Sequence, residues 1–232
     1  MPNFQYYKKE IIITVIAFMW LLFTATNVNP ELGNIYLWFN GGILFLIILG
    51  IISFDRKITI TFQSRPGGTL QAMGWGFAGW IILLLISVFV MKFVDPTKAT
   101  IGSIIVLMGA TTPLLASSKI LNWLNFGVVI PYTETQLWAR LQEFFADVFH
   151  INISKNNFRA GSLIVLIILL ALAFAIFHVT AKGITAFASL TVVFIMMSIS
   201  LIYVTYFQET RQAFWLHVFA NGVAAYLLLF GV

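Results

Sequence analysis

The chain has 232 residues, of which 60% are hydrophobic and 9% charged, and its mean hydropathy is +0.97. Soluble globular domains carry about 25% charged residues, so this composition excludes a soluble domain and indicates an integral membrane protein. The net charge of +5 is dispersed, which excludes a nucleic-acid partner, and the absence of cysteine excludes disulfides, thiolate metal ligands and cysteine nucleophiles.

Apolar runs of about 20 residues, the length that crosses the core of a bilayer, recur along the whole chain. They predict membrane-spanning helices at residues 11–28, 32–54, 70–91, 100–118, 158–179, 184–207 and 213–232. A shorter apolar stretch at residues 120–130 brings the number of spans to seven or eight. We therefore predict an all-α, polytopic membrane helical bundle that forms a single integral domain over residues 1–232.

Turn-forming residues separate the apolar runs. Asp95 and Pro96 form the turn of a polar loop at residues 92–98. Pro131 is expected to stop the short apolar stretch, because proline inside a helical pattern usually ends or kinks the helix. Residues 132–150 are then predicted to form a separate amphipathic helix.

The distribution of basic residues predicts the orientation in the membrane. Lys8 and Lys9 precede the first run, and Arg56, Lys57 and Arg65 follow the second. Cytoplasmic loops carry an excess of lysine and arginine. The N-terminus is therefore predicted to be cytoplasmic.

Four polar residues of the second half lie in apolar surroundings, namely Glu134, His178, His217 and Asn221. Such residues cost about 2–3 kcal/mol or more in a membrane span unless they find partners, and they indicate a functional site. His217 and Asn221 are four residues apart, so both lie on one helix face and can donate hydrogen bonds toward a developing oxyanion. Glu134 is a candidate base for a water molecule that His178 orients, which predicts a hydrolytic centre without a cofactor.

Three other interpretations of these residues stay open. An intramembrane histidine often makes a helix–helix hydrogen bond, as expected of a non-catalytic scaffold. Glu134, His178 and His217 also form a ligand set that zinc accepts, and spacing alone does not separate a zinc site from a metal-free one. A small transporter would need a polar path across the whole membrane, whereas the polar residues here cluster in the second half.

Three spaced patterns follow one another in the second half of the chain: Pro131 with Glu134, Phe174 with His178, and His217 with Asn221. In this order they resemble the motifs of the CPBP family, the CAAX prenyl endopeptidase and bacteriocin-processing (Abi) intramembrane proteases. Those motifs are Pro-x-x-Glu-Glu-x-x-x-Arg, Phe-x-x-x-His and His-x-x-x-Asn. The resemblance covers residues 120–232, while residues 1–119 supply the N-terminal spans.

The resemblance implies an intramembrane endopeptidase of a prokaryotic plasma membrane, with the lipid bilayer and a membrane-associated peptide or protein substrate as its partners. Glu134 would be the catalytic carboxylate. His178, His217 and Asn221 would position water and stabilise the oxyanion.

The first motif departs from the family pattern. Thr135 stands where the family has its second glutamate, and Ala139 stands where it has arginine. Arg140 comes one residue late, a rotation of about 100° on a helix, so we expect it to pair with Glu143 or Asp147 instead of the catalytic carboxylate. The departures favour a catalytically degenerate scaffold or immunity-type protein as the alternative function.

The helix connectivity also predicts a geometric difficulty. In straight spans, His178 lies near the end of one helix and His217 near the start of the next helix but one. These ends lie on opposite membrane faces if the intervening helix crosses once. Convergence then requires a displaced helix, or a turn at residues 208–212 that dips into the bilayer. We nevertheless predict that Glu134, His178 and His217 lie within about 10 Å of a common point.

Overall fold

The computed structural model describes residues 8–25, 42, 68–108, 116–150, 160–182, 186–206 and 210–231. Within these residues every regular element is a helix, as predicted. In chain order they are α1 (Lys8–Ala25), α2 (Gly68–Val94), a 3-10 turn (Pro96–Lys98), α3 (Ile101–Met108), α4 (Lys119–Leu124), a π-helical turn (Asn125–Val129), α5 (Ile130–Val148), α6 (Ala160–Lys182), α7 (Phe187–Tyr206) and α8 (Thr210–Phe230).

Two of the described helices are long and apolar enough to cross a membrane, namely α2 and Arg211–Phe230 of α8. They correspond to the runs predicted at residues 70–91 and 213–232. At about 1.5 Å per residue, α2 is about 40 Å long, more than the roughly 30 Å of a hydrocarbon core. Only 28% of its apolar window is buried. Its outward side chains are themselves large and apolar, including Leu70, Trp75, Ile82, Phe89 and Phe93.

The other predicted spans are shorter or fall outside the described residues. Ile11–Thr24, Gly161–Ile176 and Phe187–Ile199 are apolar helical stretches of 10–17 residues. The run at residues 100–118 is helical over Ile101–Met108 and no longer helical at residues 116–118. Apart from residue 42, the run at residues 32–54 lies outside the described part of the chain.

The polar loop after α2 forms as predicted, with Asp95 before the 3-10 turn. The Thr97 hydroxyl donates a hydrogen bond of 2.6 Å to the Asp95 carboxylate, and Lys98 Nζ lies 3.2 Å from its other oxygen. The hydrogen bond from Thr97, together with Lys98, holds the pKa of the Asp95 carboxyl below its ordinary value. The charges of this loop are therefore paired locally.

Pro131 does not end a helix, and the sequence-based prediction of two separate segments is wrong. The elements α4, the π-helical turn and α5 follow one another without a break from Lys119 to Val148. Proline lacks an N–H, and its ring clashes with the carbonyl four residues earlier. Immediately before it, the Ile130 N–H bonds to the Asn125 carbonyl, five residues back. This wider turn accommodates the proline, so Glu134 lies inside a long helix.

The helix α8 is central, because it contacts α2, α3, α4, the π-helical turn, α5 and α7. Gly76 brings α2 very close to it, since a Cβ at Gly76 would lie 2.6 Å from Trp215 Cβ. Phe77 and Trp80 pack on Phe219, with ring centroids 5.2 and 6.4 Å apart. Residue numbers rise together along this contact, so α2 and α8 run parallel.

A second close contact joins α8 to the π-helical turn. A Cβ at Gly127 would lie 3.2 Å from Gly222 Cα. The Trp123 indole donates a hydrogen bond of 3.1 Å to the Gly222 carbonyl. Small residues allow such backbone approach between helices in membranes. The helix α8 is thereby held between α2 and the long α4–α5 helix.

We predict that Gly76→Ala lowers the free energy of unfolding by about 1–3 kcal/mol, the usual cost of overpacking. The new methyl group would meet Trp215 Cβ and, at 2.8 Å, the backbone nitrogen of Leu216, and a backbone atom cannot rotate away. Gly74→Ala is the matched control, because nothing lies within 4 Å of a Cβ there. Thermal unfolding in detergent micelles compares the two variants. Equal stabilities would contradict the close α2–α8 contact.

Candidate active site

The four polar residues singled out in the sequence lie on three helices. Glu134 is in the second turn of α5, His178 is in the last two turns of α6, and His217 and Asn221 are one turn apart on α8. Glu134, His217 and Asn221 are buried, with exposed fractions of 8%, 3% and 4%. The His178 side chain is 19% exposed. The site is therefore internal, with His178 at its more open side.

The Glu134 carboxyl group lies between two imidazole rings. Its Oε2 is 3.1 Å from His217 Nε2, within hydrogen-bond distance. Its Oε1 is 3.9 Å from His178 Nε2, too far for a direct hydrogen bond. The predicted convergence of Glu134, His178 and His217 is thus found in the structure, with the carboxyl group at the centre.

The turn at residues 208–212 lies partly outside the described residues. The His178 ring packs on Phe194, with centroids 4.7 Å apart. Phe194 lies seven residues after the start of α7, about 10 Å along that helix. His217 lies seven residues after the start of α8, also about 10 Å along its helix. From α5, the Glu134 carboxyl group reaches both imidazoles.

Each imidazole is oriented through its other nitrogen. His178 Nδ1 lies 2.8 Å from the carbonyl oxygen of Phe174, four residues earlier on the same helix. His217 Nδ1 lies 3.1 Å from the hydroxyl oxygen of Thr135, on the neighbouring helix α5. Both rings consequently turn Nε2 toward Glu134. The sequence analysis noted Thr135 only as a departure from the family pattern and did not predict this contact.

Aromatic side chains close the site on one side. Trp138, one turn after Glu134, stacks on Phe174 with centroids 3.9 Å apart and planes 15° apart. It also meets the His217 ring edge-on at 6.4 Å. The sequence analysis missed Trp138, although its position four residues after Glu134 places both on one helix face. Trp138 and Phe174 therefore form an apolar wall beside the Glu134–His217 contact.

The Asn221 amide lies on the same face of α8 as His217 and next to Gly222, which packs on Gly127. Its side chain is buried. His217, which the sequence analysis assigned with Asn221 to the oxyanion, already uses both ring nitrogens. Of these two residues, Asn221 is therefore the candidate donor to a ligand.

The expectation that Arg140 pairs with Glu143 or Asp147 concerns side chains outside the described ones, so it stays a prediction.

The zinc alternative concerns Glu134, His178 and His217. Among the described residues, no group of three or more His, Asp or Glu side chains has an arrangement that could hold a metal ion. Glu134 Oε2 and His217 Nε2 lie at hydrogen-bond distance, 3.1 Å apart. The zinc site stays an alternative interpretation of these three residues.

Comparison of the chain with models of protein families, with curated proteins and with solved structures gives no match.

We predict that Phe174→Ala lowers the free energy of unfolding by about 3 kcal/mol, as expected for the loss of a buried ring. Phe174 is 2% exposed and stacks on Trp138. Ile176→Ala is the control on the same helix, because Ile176 is 63% exposed and its truncation leaves no cavity. Chemical unfolding followed by tryptophan fluorescence measures both variants. A control that loses as much stability as Phe174→Ala would show that Phe174 has no special packing role.

Proposed function

We propose that this protein is an intramembrane endopeptidase of the CPBP type, which hydrolyses a peptide bond at or in the membrane. The observation that carries the proposal is the position of the Glu134 carboxyl group between His178 and His217. A buried carboxylate beside imidazoles is a suitable base for a water molecule. The motif resemblance points to the same chemistry and supplies the substrate class.

The gap between Glu134 and His178 has the dimensions of a water site. The Phe174 carbonyl can only accept, so His178 Nδ1 carries a hydrogen, and Nε2 of the neutral ring has a lone pair. Two acceptors 3.9 Å apart can both be reached by the two hydrogens of one water at about 2.8 Å from each. The lone pairs of that water would then point away from both groups, toward a substrate carbonyl.

The proposed reaction starts when the water oxygen attacks the carbonyl carbon and one water proton passes to Glu134. The developing oxyanion accepts a hydrogen bond from the Asn221 amide, whose side chain is buried on the same face of α8 as His217. The tetrahedral intermediate collapses by breaking the C–N bond. Glu134 returns the proton to the leaving amine, so the carboxylate is regenerated and no other reactant is consumed.

The cellular setting belongs to the same proposal. We place the chain in a prokaryotic plasma membrane as a bundle of seven to eight spans with a cytoplasmic N-terminus. Support comes from the two long apolar helices and from the large apolar side chains on their outer surfaces. Lipid is the environment that accepts such surfaces without cost, since contiguous exposed apolar patches of this size are rare on soluble monomers.

A scaffold or immunity-type protein is the second candidate function. The observation that favours it is the absence of the family's second glutamate and arginine, replaced here by Thr135 and Ala139. In such a protein the Glu134–His217 contact would hold the helices together without turnover. Mutation of the proposed base separates the two functions.

We predict that Glu134→Gln abolishes proteolysis while the protein stays folded, because the amide keeps the size of the side chain and removes the base. Asn221→Ala should raise the barrier by about 2–4 kcal/mol, the usual cost of losing an oxyanion donor. Mass spectrometry identifies the new N-termini that proteolysis creates in membrane proteins. These N-termini are compared between cells that produce the wild type, Glu134→Gln or Asn221→Ala. Unfolding curves of the purified variants serve as the folding control. Identical sets of new N-termini in all three would favour the scaffold.

Labelling of introduced cysteines tests the orientation, and the natural absence of cysteine makes each variant a single-site probe. Thr69 and Thr97 are exposed near the two ends of α2. With a cytoplasmic N-terminus, an impermeant maleimide should label Thr97→Cys in intact cells and Thr69→Cys only after permeabilisation. Labelling of both from the same side would show that α2 does not cross the membrane.

A further inference from the structure

The hydrogen on the Thr135 hydroxyl has a defined direction. Its Oγ1 lies 2.6 Å from the carbonyl oxygen of Pro131 and 3.1 Å from His217 Nδ1. A carbonyl oxygen only accepts, and a hydroxyl has one hydrogen to give. The hydrogen therefore goes to Pro131, and a lone pair of Oγ1 faces the imidazole. His217 Nδ1 must then be the donor of the second bond.

This direction determines what lies on the other side of the ring. When Nδ1 carries the hydrogen, Nε2 of a neutral imidazole has a lone pair. Glu134 Oε2, only 3.1 Å away, is an acceptor when it is ionised. Two acceptors do not approach to this distance in a buried site without a proton between them. One proton is thus shared by Glu134 and His217, and the pair has no net charge whichever atom holds it.

We infer that Thr135 is a positioning residue, which fixes the hydrogen of His217 on Nδ1 and thereby keeps one proton on the Glu134–His217 pair. The CPBP motif has a glutamate at this position, so this chain orients the histidine with a neutral hydroxyl where the motif offers a carboxylate. The consequence for turnover depends on the proposed function. Glu134 Oε2 is occupied by the shared proton, and Oε1 is left as the atom that receives the proton of the attacking water.

Nuclear magnetic resonance of histidine nitrogens tests the inference directly, because the chain has only three histidines. The protein is produced with labelled histidine in lipid nanodiscs, and His217→Gln and His178→Gln assign the signals. We expect a protonated Nδ1 on His217 in the wild type and in Thr135→Ser. In Thr135→Val the proton should move to Nε2, from which the ring can donate to the Glu134 carboxylate. A wild-type His217 whose Nδ1 lacks a hydrogen overturns the inference without any variant.

Thr191→Val is the matched control for the loss of a threonine hydroxyl. The Thr191 hydroxyl donates a bond of 2.8 Å to the Phe187 carbonyl four residues earlier, the same backbone contact that Thr135 makes. Thr191 lies on α7, which carries none of the four site residues. The His217 signal should be unchanged in this variant. A shift equal to that of Thr135→Val would show that the signal reports general loosening of the helices, and would overturn the inference.

Measurements of kcat and KM separate this inference from the proposed function. If the protein is a peptidase, Thr135→Val should lower kcat about 100-fold with little change in KM, because the Glu134–His217 pair loses its shared proton and its net negative charge opposes the developing oxyanion. Thr135→Ser should restore most of the rate. If the histidine nitrogen signals are as expected but neither the wild type nor any variant cleaves a peptide, the peptidase proposal is refuted and the tautomer assignment stands. Cleavage together with a His217 signal that Thr135→Val does not alter would refute the positioning role and leave the peptidase standing.

Discussion

The contact between Glu134 and His217 constrains the rest of the structure. A carboxyl group and an imidazole are both costly to bury, and each becomes acceptable only when the other supplies a hydrogen bond. Their atoms must therefore stay within about 3 Å, which fixes α5 against α8 at one register. Glycines on both sides of α8 provide the needed backbone approach, Gly76 toward Trp215 and Gly222 toward Gly127. The packing of the bundle and the geometry of the site consequently depend on the same helix.

The π-helical turn before Pro131 has a similar influence on α5. An extra residue in a turn rotates everything after it by about 100° relative to a regular helix. Trp123 before the turn and Gly127 within it face Gly222. Glu134 and Thr135 after the turn face His217. One long helix can thus follow α8 for several turns and contribute close packing at one end and polar contacts at the other. If Pro131 ended the helix, the packing residues before it and the polar residues after it would lie on two separate helices.

Local periodicity and composition predicted much of this arrangement. The all-helical class and the approximate limits of α2 and α8 followed from apolar run length. The meeting of Glu134 with two histidines followed from the cost of isolated polar groups and from the ordered resemblance to the CPBP motifs. The depth of His178 and His217 did not follow, because run lengths do not give the offset between neighbouring helices. The Thr135–His217 contact joins residues 82 positions apart. The pattern around Thr135 contains no signal for it, since threonine on a helix usually bonds only to its own backbone.

The Phe-x-x-x-His and His-x-x-x-Asn motifs use the same four-residue spacing for different physical purposes. In Phe174-x-x-x-His178 the backbone carbonyl of the first residue orients the imidazole, and the phenylalanine ring is held separately by Trp138. In His217-x-x-x-Asn221 the spacing places two side chains on one face of α8. A backbone carbonyl is present whatever the residue, so only the ring stack demands phenylalanine at position 174. The orienting group for His217 comes from another helix, and there the choice of side chain decides the charge. A hydroxyl orients the ring and adds no negative charge, so the carboxyl group of Glu134 is balanced by a single proton. The site can therefore carry threonine where the CPBP motif has its second glutamate and still hold its histidine in a defined state.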